Sequence, residues 1–527
     1  MVNNRPYSAF DELGFVNTLK KLVEETKGLY CADEIPWVIG YSGGKDSSTV
    51  MQIVLYALQD LPKEKFIKPV YVISTDTLVE NPEVSRWVTT SLDKINEFAK
   101  ERQLPVTAHL LKPILPYRFW VNLLGRGYPS PRPKFRWCTE RLKIAPSNAF
   151  INDVVQQNGE AILVLGTRKA ESQARAKTME KYEAKRVRDK LSPNGSLPNS
   201  FVYTPIEDWS NDDVWQFLTR EDNPWRAHNL ELLAMYEGAT ESGECPFIRD
   251  ISSPSCGASR FGCWVCTMVS EDKSMAAMIK NDKEKTWMQA LLDFRNEIAN
   301  HDDRELRDFR RMSGHIQLFH GRPIHGPYKQ EVRERWLKKL LKIQEQAKED
   351  RQKYPELAGQ YFELISLEEL KEIRRIWVME KHELEDNLPA IFYDATGKKF
   401  PDVEHFSDNS VFGQDAWQLL KEICDGDEIH YQLTRELIAV EQNFRTMVRR
   451  SGLFIELEKA LRKGFYENEE DAVERVRQKE KIYEDEKQLL ENEKENLKPD
   501  SCLVKVSHPQ IAKAPITISK VIEVYLP

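Results

Sequence analysis

Two groups of residues in this sequence have the types and spacing to do chemistry. The first is Ser42-Gly43-Gly44-Lys45-Asp46-Ser47. An apolar run, Trp37-Val38-Ile39-Gly40-Tyr41, precedes it, and a helix-like run, Thr49-Val50-Met51-Gln52-Ile53-Val54-Leu55, follows. A strand, a glycine turn and a helix start build a phosphate site. The glycines let backbone N–H groups curl toward an anion, the helix N-terminus adds partial positive charge, and Lys45 supplies a full one. The spacing is neither the G-x-x-x-x-G-K-[ST] of a Walker loop nor G-x-G-x-x-G. A plain turn is the alternative reading.

The second group is made of cysteines. Cys245, Cys256, Cys263 and Cys266 crowd into 22 residues with the spacing C-x10-C-x6-C-x2-C, in a segment rich in Gly, Ser and Pro. Four thiolates on such a loop suit a tetrahedral metal or an iron–sulfur cube. Structural zinc sites usually show two C-x2-4-C knuckles, and only one exists here, so the uneven spacing favours a [4Fe–4S] cluster. Zinc and unligated core cysteines are the alternatives. Cys138 stands apart, in Phe135-Arg136-Trp137-Cys138-Thr139-Glu140-Arg141-Leu142-Lys143. A helix start and the nearby Arg136, Arg141 and Lys143 lower a thiol's pKa, so Cys138 is expected as a thiolate that accepts a persulfide sulfur or attacks as a nucleophile. A buried capping cysteine is the alternative. Cys31, Cys424 and Cys502 are isolated and are assigned to packing.

These residues need elements to hold them. Apolar strand candidates lie at 37–41, 70–74, 106–111 and 161–165, with helical periodicity at 47–58, 83–101 and 141–155. This βαβα alternation predicts a parallel sheet covered by helices on both faces, with ligands at the carboxyl ends of the strands. Three such ends carry polar residues: the glycine loop, Thr75-Asp76-Thr77-Leu78-Val79-Glu80-Asn81, and Gly166-Thr167-Arg168-Lys169-Ala170-Glu171-Ser172-Gln173-Ala174-Arg175. Ser210, in Trp209-Ser210-Asn211-Asp212-Asp213-Val214-Trp215, is placed to cap the next helix.

At 527 residues, two or three domains are expected, with enough apolar residues (41%) for a real core. No stretch resembles a transmembrane span or a signal peptide, so a cytoplasmic protein is expected. A net charge of −8 argues against a protein that coats DNA by general basicity. Locally the balance differs. The stretch 128–137 is basic, aromatic and proline-stiffened, and residues 167–190 hold nine Lys/Arg against four Asp/Glu. Beyond about 270 charge rises and helices dominate. His315, His320 and His325 are spaced by five, which suits loop or surface roles rather than a helical metal pair. Residues 391–397 read as a small strand and turn, 467–496 as a solvated helix, and 516–524 as one or two strands. The division expected is 1–230 for nucleotide binding, 231–270 for the cysteine segment and 271–527 as a mainly helical region.

The loop at 42–47 resembles the PP-loop of ATP pyrophosphatases and phosphoadenylyl-sulfate reductases. The second strand end matches the position of an acidic residue near the nucleotide in the reductase branch. Gly166-x-Arg168-x-x-Glu171-Ser172-x-x-Arg175 resembles that branch's G-x-R-x-x-E-S-x-x-R, and residues 205–215 its P-I-x-x-W-x-x-x-D-V-W segment. The reductases' paired cysteines are reduced to Cys138 alone, and their C-terminal E-C-G-[IL]-H is missing, so sulfonucleotide reduction does not follow. With the four-cysteine segment, the whole resembles the DndC family, the PP-loop sulfurtransferases of bacterial DNA phosphorothioation. The resemblance implies an α/β fold of the PP-loop ATP pyrophosphatase (adenine nucleotide alpha hydrolase-like) type, followed by helices. It also implies ATP held at Ser42, Gly43, Gly44, Lys45, Asp46, Ser47, Asp76, Gly166, Arg168 and Glu171. Lys45, Asp46 and Cys138 would be catalytic, and Cys245, Cys256, Cys263 and Cys266 would hold a [4Fe–4S] cluster. Mg²⁺ on Asp46, Asp76 or Glu80 would neutralise departing pyrophosphate. Expected partners are DNA, a cysteine desulfurase as sulfur donor and companion subunits of a modification complex, with no membrane. A tRNA thiolase, a reductase-like enzyme and a non-catalytic nucleotide-gated scaffold are the alternatives.

Overall fold

The computed structural model describes residues 8–240, 261–300, 302–401, 414–445, 447–464 and 466–496. Its first half alternates as the apolar pattern requires: α1 (Gly14–Cys31), β1 (Trp37–Gly40), α2 (Lys45–Gln59), β2 (Val70–Thr75), α3 (Pro82–Arg102), β3 (Val106–Leu111), α4 (Ala145–Asn158), β4 (Ala161–Val164), α5 (Gln173–Glu183), β5 (Ser192–Pro193), β6 (Ser200–Tyr203), α6 (Asn211–Arg220) and α7 (Asn229–Gly238). The sheet order is β3-β2-β1-β4-β6-β5, parallel except for β5. The chain moves outward from β1 in one direction through β2 and β3, then crosses back to β4. This reversal leaves a crevice at the carboxyl ends of β1 and β4, where open α/β sheets bind ligands.

Strands buried on both faces read as continuous apolar runs, and β4 (Ala161-Ile162-Leu163-Val164) is buried throughout. The larger core joins β1 and β2 to α1, α2, α3 and α6, and is centred on Trp37, Ile53, Val72 and Trp215. A smaller one packs Ile151 and Val154 of α4 against Val38 and Leu163. Ser210 caps α6 as expected, accepting from the Asp213 N–H while the Asp213 carboxylate accepts from the Ser210 N–H.

The second half is mainly helical: α8 (Lys273–Asn281), α9 (Gln289–Ile298), a small hairpin of β7 (Leu318–Phe319) and β8 (Arg322–Pro323), α10 (Gln330–Arg351), α11 (Leu367–Arg375), α12 (Leu388–Thr396), α13 (Gln414–Ile423), α14 (Glu428–Arg445), α15 (Leu453–Lys463) and α16 (Glu469–Asn496). A further core is built from both halves. Val79, Phe119, Trp120, Trp137 and Leu142 pack with Trp264, Phe294, Trp336 and Trp377. The segment after β3 thus leaves the sheet and joins the helices, with the cysteine turn between the two.

The strand expected at 391–397 is α12. Pro389 in its first turn and left-handed Gly397 just past its end are helix start and stop signals that outweigh the short apolar run. The helix expected at 141–155 begins with a π-helical turn, Thr139–Ile144. His325 lies in a loop but is buried, with its ring nitrogens on the Arg304 carbonyl and the Glu469 carboxylate. The strands read at 516–524 lie outside the described residues.

Candidate active site

The glycine loop sits where the sheet reverses. Gly43 has φ +71°, and a Cβ there would lie 2.5 Å from Val88, so this corner needs glycine. The Trp87 indole N–H donates to the Gly43 carbonyl at 2.9 Å. Ser47 Oγ accepts from the Ser42 N–H at 3.2 Å and donates to the Gly44 carbonyl at 3.0 Å, which closes the loop on itself. α2 starts at Lys45 with no side-chain cap, so its first N–H groups face the crevice as an anion site.

The third strand end reaches this loop directly. A Cβ on Gly166 would lie 2.8 Å from the Asp46 backbone carbon and oxygen, so glycine permits the approach. Arg168 is buried and donates from Nε to Asp46 Oδ1 at 2.7 Å and from its terminal nitrogen to the Trp209 carbonyl at 3.2 Å. Lys45 Nζ lies 3.1 Å from Asp46 Oδ2 and 5.8 Å from the centre of the Tyr236 ring. Glu171 accepts from the Arg168 N–H at 3.0 Å and from Arg175 at 2.6 Å. Asp46 is therefore an internal partner of two cations, which fixes the loop.

The second strand end extends the site. Asp76 accepts from the Leu78 N–H at 2.8 Å, and burial pushes its carboxyl above the usual range despite that bond. Leu78 is left-handed (φ +63°). The loop then meets the cysteine turn. Glu80 and Cys263 form an antiparallel bridge, the Trp264 N–H donates to the Val79 carbonyl at 2.9 Å, and the Asn81 N–H donates to the Gly262 carbonyl at 3.3 Å. Thr77 Oγ1 lies 2.9 Å from Glu80 Oε1 and 3.3 Å from Cys263 Sγ. Lys143 Nζ reaches Glu80 at 3.3 Å. Burial works against the charged form of Lys143, yet the surrounding Cys263, Glu80 and Cys138 hold its pKa above the usual lysine value.

Cys138 does not stand apart in space. It lies within electrostatic reach of both Cys263 and Cys266 and packs in the same core as Cys263. Nor is it activated as its basic neighbours suggest. Burial pushes its thiol up, and Cys266 adds to the rise. The neighbouring arginines point elsewhere: Arg136 donates to the Pro133 carbonyl, while Arg141 stacks over Tyr128 and bonds to its hydroxyl. Burial also raises the Cys263 thiol, with Glu80 adding to it.

The Cys263–Cys266 turn is closed by a Cys266 N–H to Cys263 carbonyl bond of 3.0 Å. Arg295, fully buried on α9, donates to the carbonyls of Cys266, Val269 and Ser270. Thr267 ties the turn to the Pro131 carbonyl at 2.6 Å. Cys245 and Cys256 lie outside the described residues. Among the described residues no three His, Cys, Asp or Glu side chains converge tightly enough to hold a metal ion. A C-x2-C turn with a third thiol near it nonetheless fits an iron–sulfur cluster in donor type, and Trp264 (1% exposed) supplies an apolar shield.

One cleft of about 920 Å³ joins the three strand ends, with the thiols lying beyond Glu80 and Lys143 and not in its wall. Its walls include the 42–46 loop, Asp76, Glu80, Lys143, Arg168, Glu171 and Tyr236. Sequence reasoning placed Lys143 only as basic context for Cys138 and missed Tyr236 and Arg295. Lys143 was within reach, because its motif was already singled out. Tyr236 and Arg295 sit in ordinary helical patterns that carry no such signal.

Residues 36–269 match the sequence profile of the phosphoadenosine phosphosulfate reductase domain. The fold is that of the PP-loop, nucleotide alpha hydrolase-like class, followed by a helical region. An uncharacterized protein of Methanocaldococcus jannaschii, MJ0066, is 23% identical over 261 residues, covering 50% of this chain and 42% of that protein. A second from that organism, MJ0973, is 28% identical over 182 residues, covering 34% and 35%. The chain thus spans less than half the length of either relative. Among solved structures, the U34-tRNA thiolase NcsA of Methanococcus maripaludis with its [4Fe-4S] cluster is similar at 17% identity and a TM-score of 0.24, covering 54% of this chain and 80% of that one. The FMN adenylyltransferase of Candida glabrata is similar at 12% identity and a TM-score of 0.25, covering 45% and 68%. At TM-scores this low neither likeness bears on the reading of the site. No helix among the described residues is long and apolar enough to cross a membrane.

Proposed function

We propose that this protein is an ATP-dependent sulfurtransferase that replaces a non-bridging oxygen of a DNA backbone phosphate with sulfur. The observation that carries this reading is the continuity of the cleft. It runs from the phosphate loop at 42–47 to Glu80 and Lys143, which adjoin Cys263 and Cys138. An anionic phosphodiester is a poor electrophile, and a site that couples nucleotide to thiols answers that difficulty. The loop and the α2 N-terminus hold the β- and γ-phosphates, and Lys45 neutralises charge as pyrophosphate departs. A phosphate oxygen of DNA attacks the α-phosphorus, pyrophosphate leaves, and the DNA phosphate becomes an adenylate.

A persulfide on Cys138, loaded by a cysteine desulfurase, then attacks the DNA phosphorus through its terminal sulfur. AMP leaves with the original oxygen. A thiol reductant next attacks Cys138 Sγ, forms a disulfide with it and releases the phosphorothioate, so the sulfur–sulfur bond supplies the oxidant that the thiol reduces. Lys143 offers its ammonium to the phosphate between nucleotide and thiols. Asp76 and Glu80 line the cleft and fit, in donor type, a magnesium ion entering with ATP. Cys263 and Cys266, with Cys245 and Cys256 from the sequence and Cys138 nearby, would hold an iron–sulfur cluster, which supplies a thiophilic and redox-active centre when bound. Companion subunits would add to the DNA affinity of this chain, whose net charge of −8 gives no general attraction to a polyanion.

The test is pyrophosphate release from ATP by the anaerobically prepared full chain. Release stimulated by duplex DNA supports the reading. Release stimulated by tRNA alone points to a base thiolase instead.

A further inference from the structure

We propose that Lys177, Lys181 and Lys185 form a phosphate-tracking stripe that lays one strand of duplex DNA across the mouth of the cleft. This rests on the DNA reading above and names how that partner is held. The stripe begins where the cleft opens. Ala170, Glu171, Ser172 and Arg175 line the cleft, and α5 starts at Gln173, between Ser172 and Arg175. The Ser172 hydroxyl caps the helix by accepting from the Arg175 N–H at 3.2 Å.

α5 is unusual in burying none of its residues. A helix of this length is marginal on its own, and most helices are held by an apolar face against a core. Instead, α5 and the residue two positions beyond it place lysines at i, i+4 and i+8, all exposed. Like charges one turn apart, as at Lys177 and Lys181, repel and disfavour the helix; Lys181 Nζ lies 6.0 Å from the centre of the Tyr182 ring, and no anion among the described residues offsets the repulsion.

The rest of the basic stretch is spent within the protein. Lys169 pairs with Asp208 and Glu183, Arg175 with Glu171, Arg186 with Glu183 and Glu207, Arg188 with Asp33, and Lys190 with Glu25. Among the described residues no carboxylate pairs with the three lysines. Glu180 is the acidic residue beside them.

The geometry suits a polyphosphate backbone. At a helical rise of about 1.5 Å per residue, Lys177 and Lys181 are about 6 Å apart along α5, and Lys185 follows in the turn that ends it, its N–H donating to the Tyr182 carbonyl. One DNA strand presents a phosphate about every 3.4 Å along the duplex axis, so lysines one helical turn apart meet phosphates about two steps apart. Contacts of this kind fix register and carry no base sequence, leaving the site's own machinery to choose the phosphate.

The experiment measures equilibrium binding of a fluorescent 30-base-pair duplex to the full chain, without ATP, across a series of KCl concentrations. The comparison is wild type against Lys177→Gln/Lys181→Gln/Lys185→Gln, with the triple Lys→Arg variant as rescue. Each phosphate contact contributes about 0.9 to the slope of log affinity against log salt. The Gln variant is therefore expected to lose about 2–3 from that slope, the Arg variant to keep it, and both to bind ATP as wild type does. An unchanged slope in the Gln variant overturns the stripe, as does a wild type that binds no duplex. A stripe-dependent slope seen with tRNA and not with duplex overturns the assignment to DNA. If the slope changes as expected while DNA from cells carrying the gene holds no phosphorothioate, the stripe stands and the sulfur-transfer reading falls.

Discussion

Gly166→Ala tests whether the loop at 42–47 is a nucleotide site built by close approach of two strand ends. The added Cβ would sit 2.8 Å from the backbone carbon and oxygen of Asp46 and 3.1 Å from the Ser47 nitrogen, where ordinary contact begins at 3.4 Å. The obstacle is backbone, not a flexible side chain, so the loop or β4 must move by about 0.6 Å, the difference between those distances. Forcing an extra methyl into such a contact costs about 1–3 kcal/mol. The same shift moves the N–H groups at the start of α2, and misplacement on the 1 Å scale costs a site about 100-fold. The expected result is a lower urea midpoint together with ATP binding weakened by at least about tenfold. Gly238→Ala is the control. It ends α7, and its added Cβ meets nothing within 4 Å, so stability and ATP affinity should hold or improve slightly. The assays are urea unfolding and isothermal titration with ATP. If Gly166→Ala unfolds and binds ATP like wild type, the close approach is not what shapes the site.

Three further outcomes follow from the geometry. Arg295→Met strips donors from the buried carbonyls of Cys266, Val269 and Ser270, at ~1 kcal/mol or more for each. A loss of about 3 kcal/mol in denaturant unfolding, with less iron retained after reconstitution, is expected, and unchanged stability contradicts it. Asp76→Asn keeps the acceptor for the Leu78 N–H and removes a carboxylate whose folded pKa is raised by burial. A raised folded pKa means stability present below the ordinary value of 3.8 and lost as pH rises through the folded value, so the variant should match wild type near pH 3 and exceed it at pH 7. Equal stability at both pH values argues against that burial cost. In metal-free protein, burial and Cys266 raise the Cys138 thiol above its ordinary 9.0, so iodoacetamide labelling at pH 8 should be slower than in the urea-unfolded chain and should climb beyond pH 9. A rate that plateaus by pH 7 contradicts this.

Short continuous apolar runs and glycine turns made β1 to β4 and the position of the glycine loop legible, most clearly at β1 and β4, which are buried on both faces and so are apolar throughout. Gly166 and Arg168 were legible as a motif, but their purpose was not: the first lets backbone touch backbone, and the second locks Asp46. Cys263 and Cys266 were legible as a C-x2-C turn, while Cys245 and Cys256 lie outside the described residues. That Cys138 joins Cys263 and Cys266 was not, since it depends on the segment after β3 leaving the sheet to pack with α9 and α10. Local charge misled at Cys138 because Arg136 and Arg141 find nearer partners and burial decides the pKa. At 391–397, short apolar runs did not separate strand from helix, and the proline and glycine at its ends did.

The central claim is that sulfur is placed in the DNA backbone by means of ATP and thiols of this chain. The most direct test is mass spectrometry of nuclease-digested DNA from cells carrying the gene, cells lacking it, and cells carrying Lys45→Ala. Phosphorothioate-linked dinucleotides should appear with the intact gene and vanish in the other two. Equal levels in all three, or none in any, contradict the account.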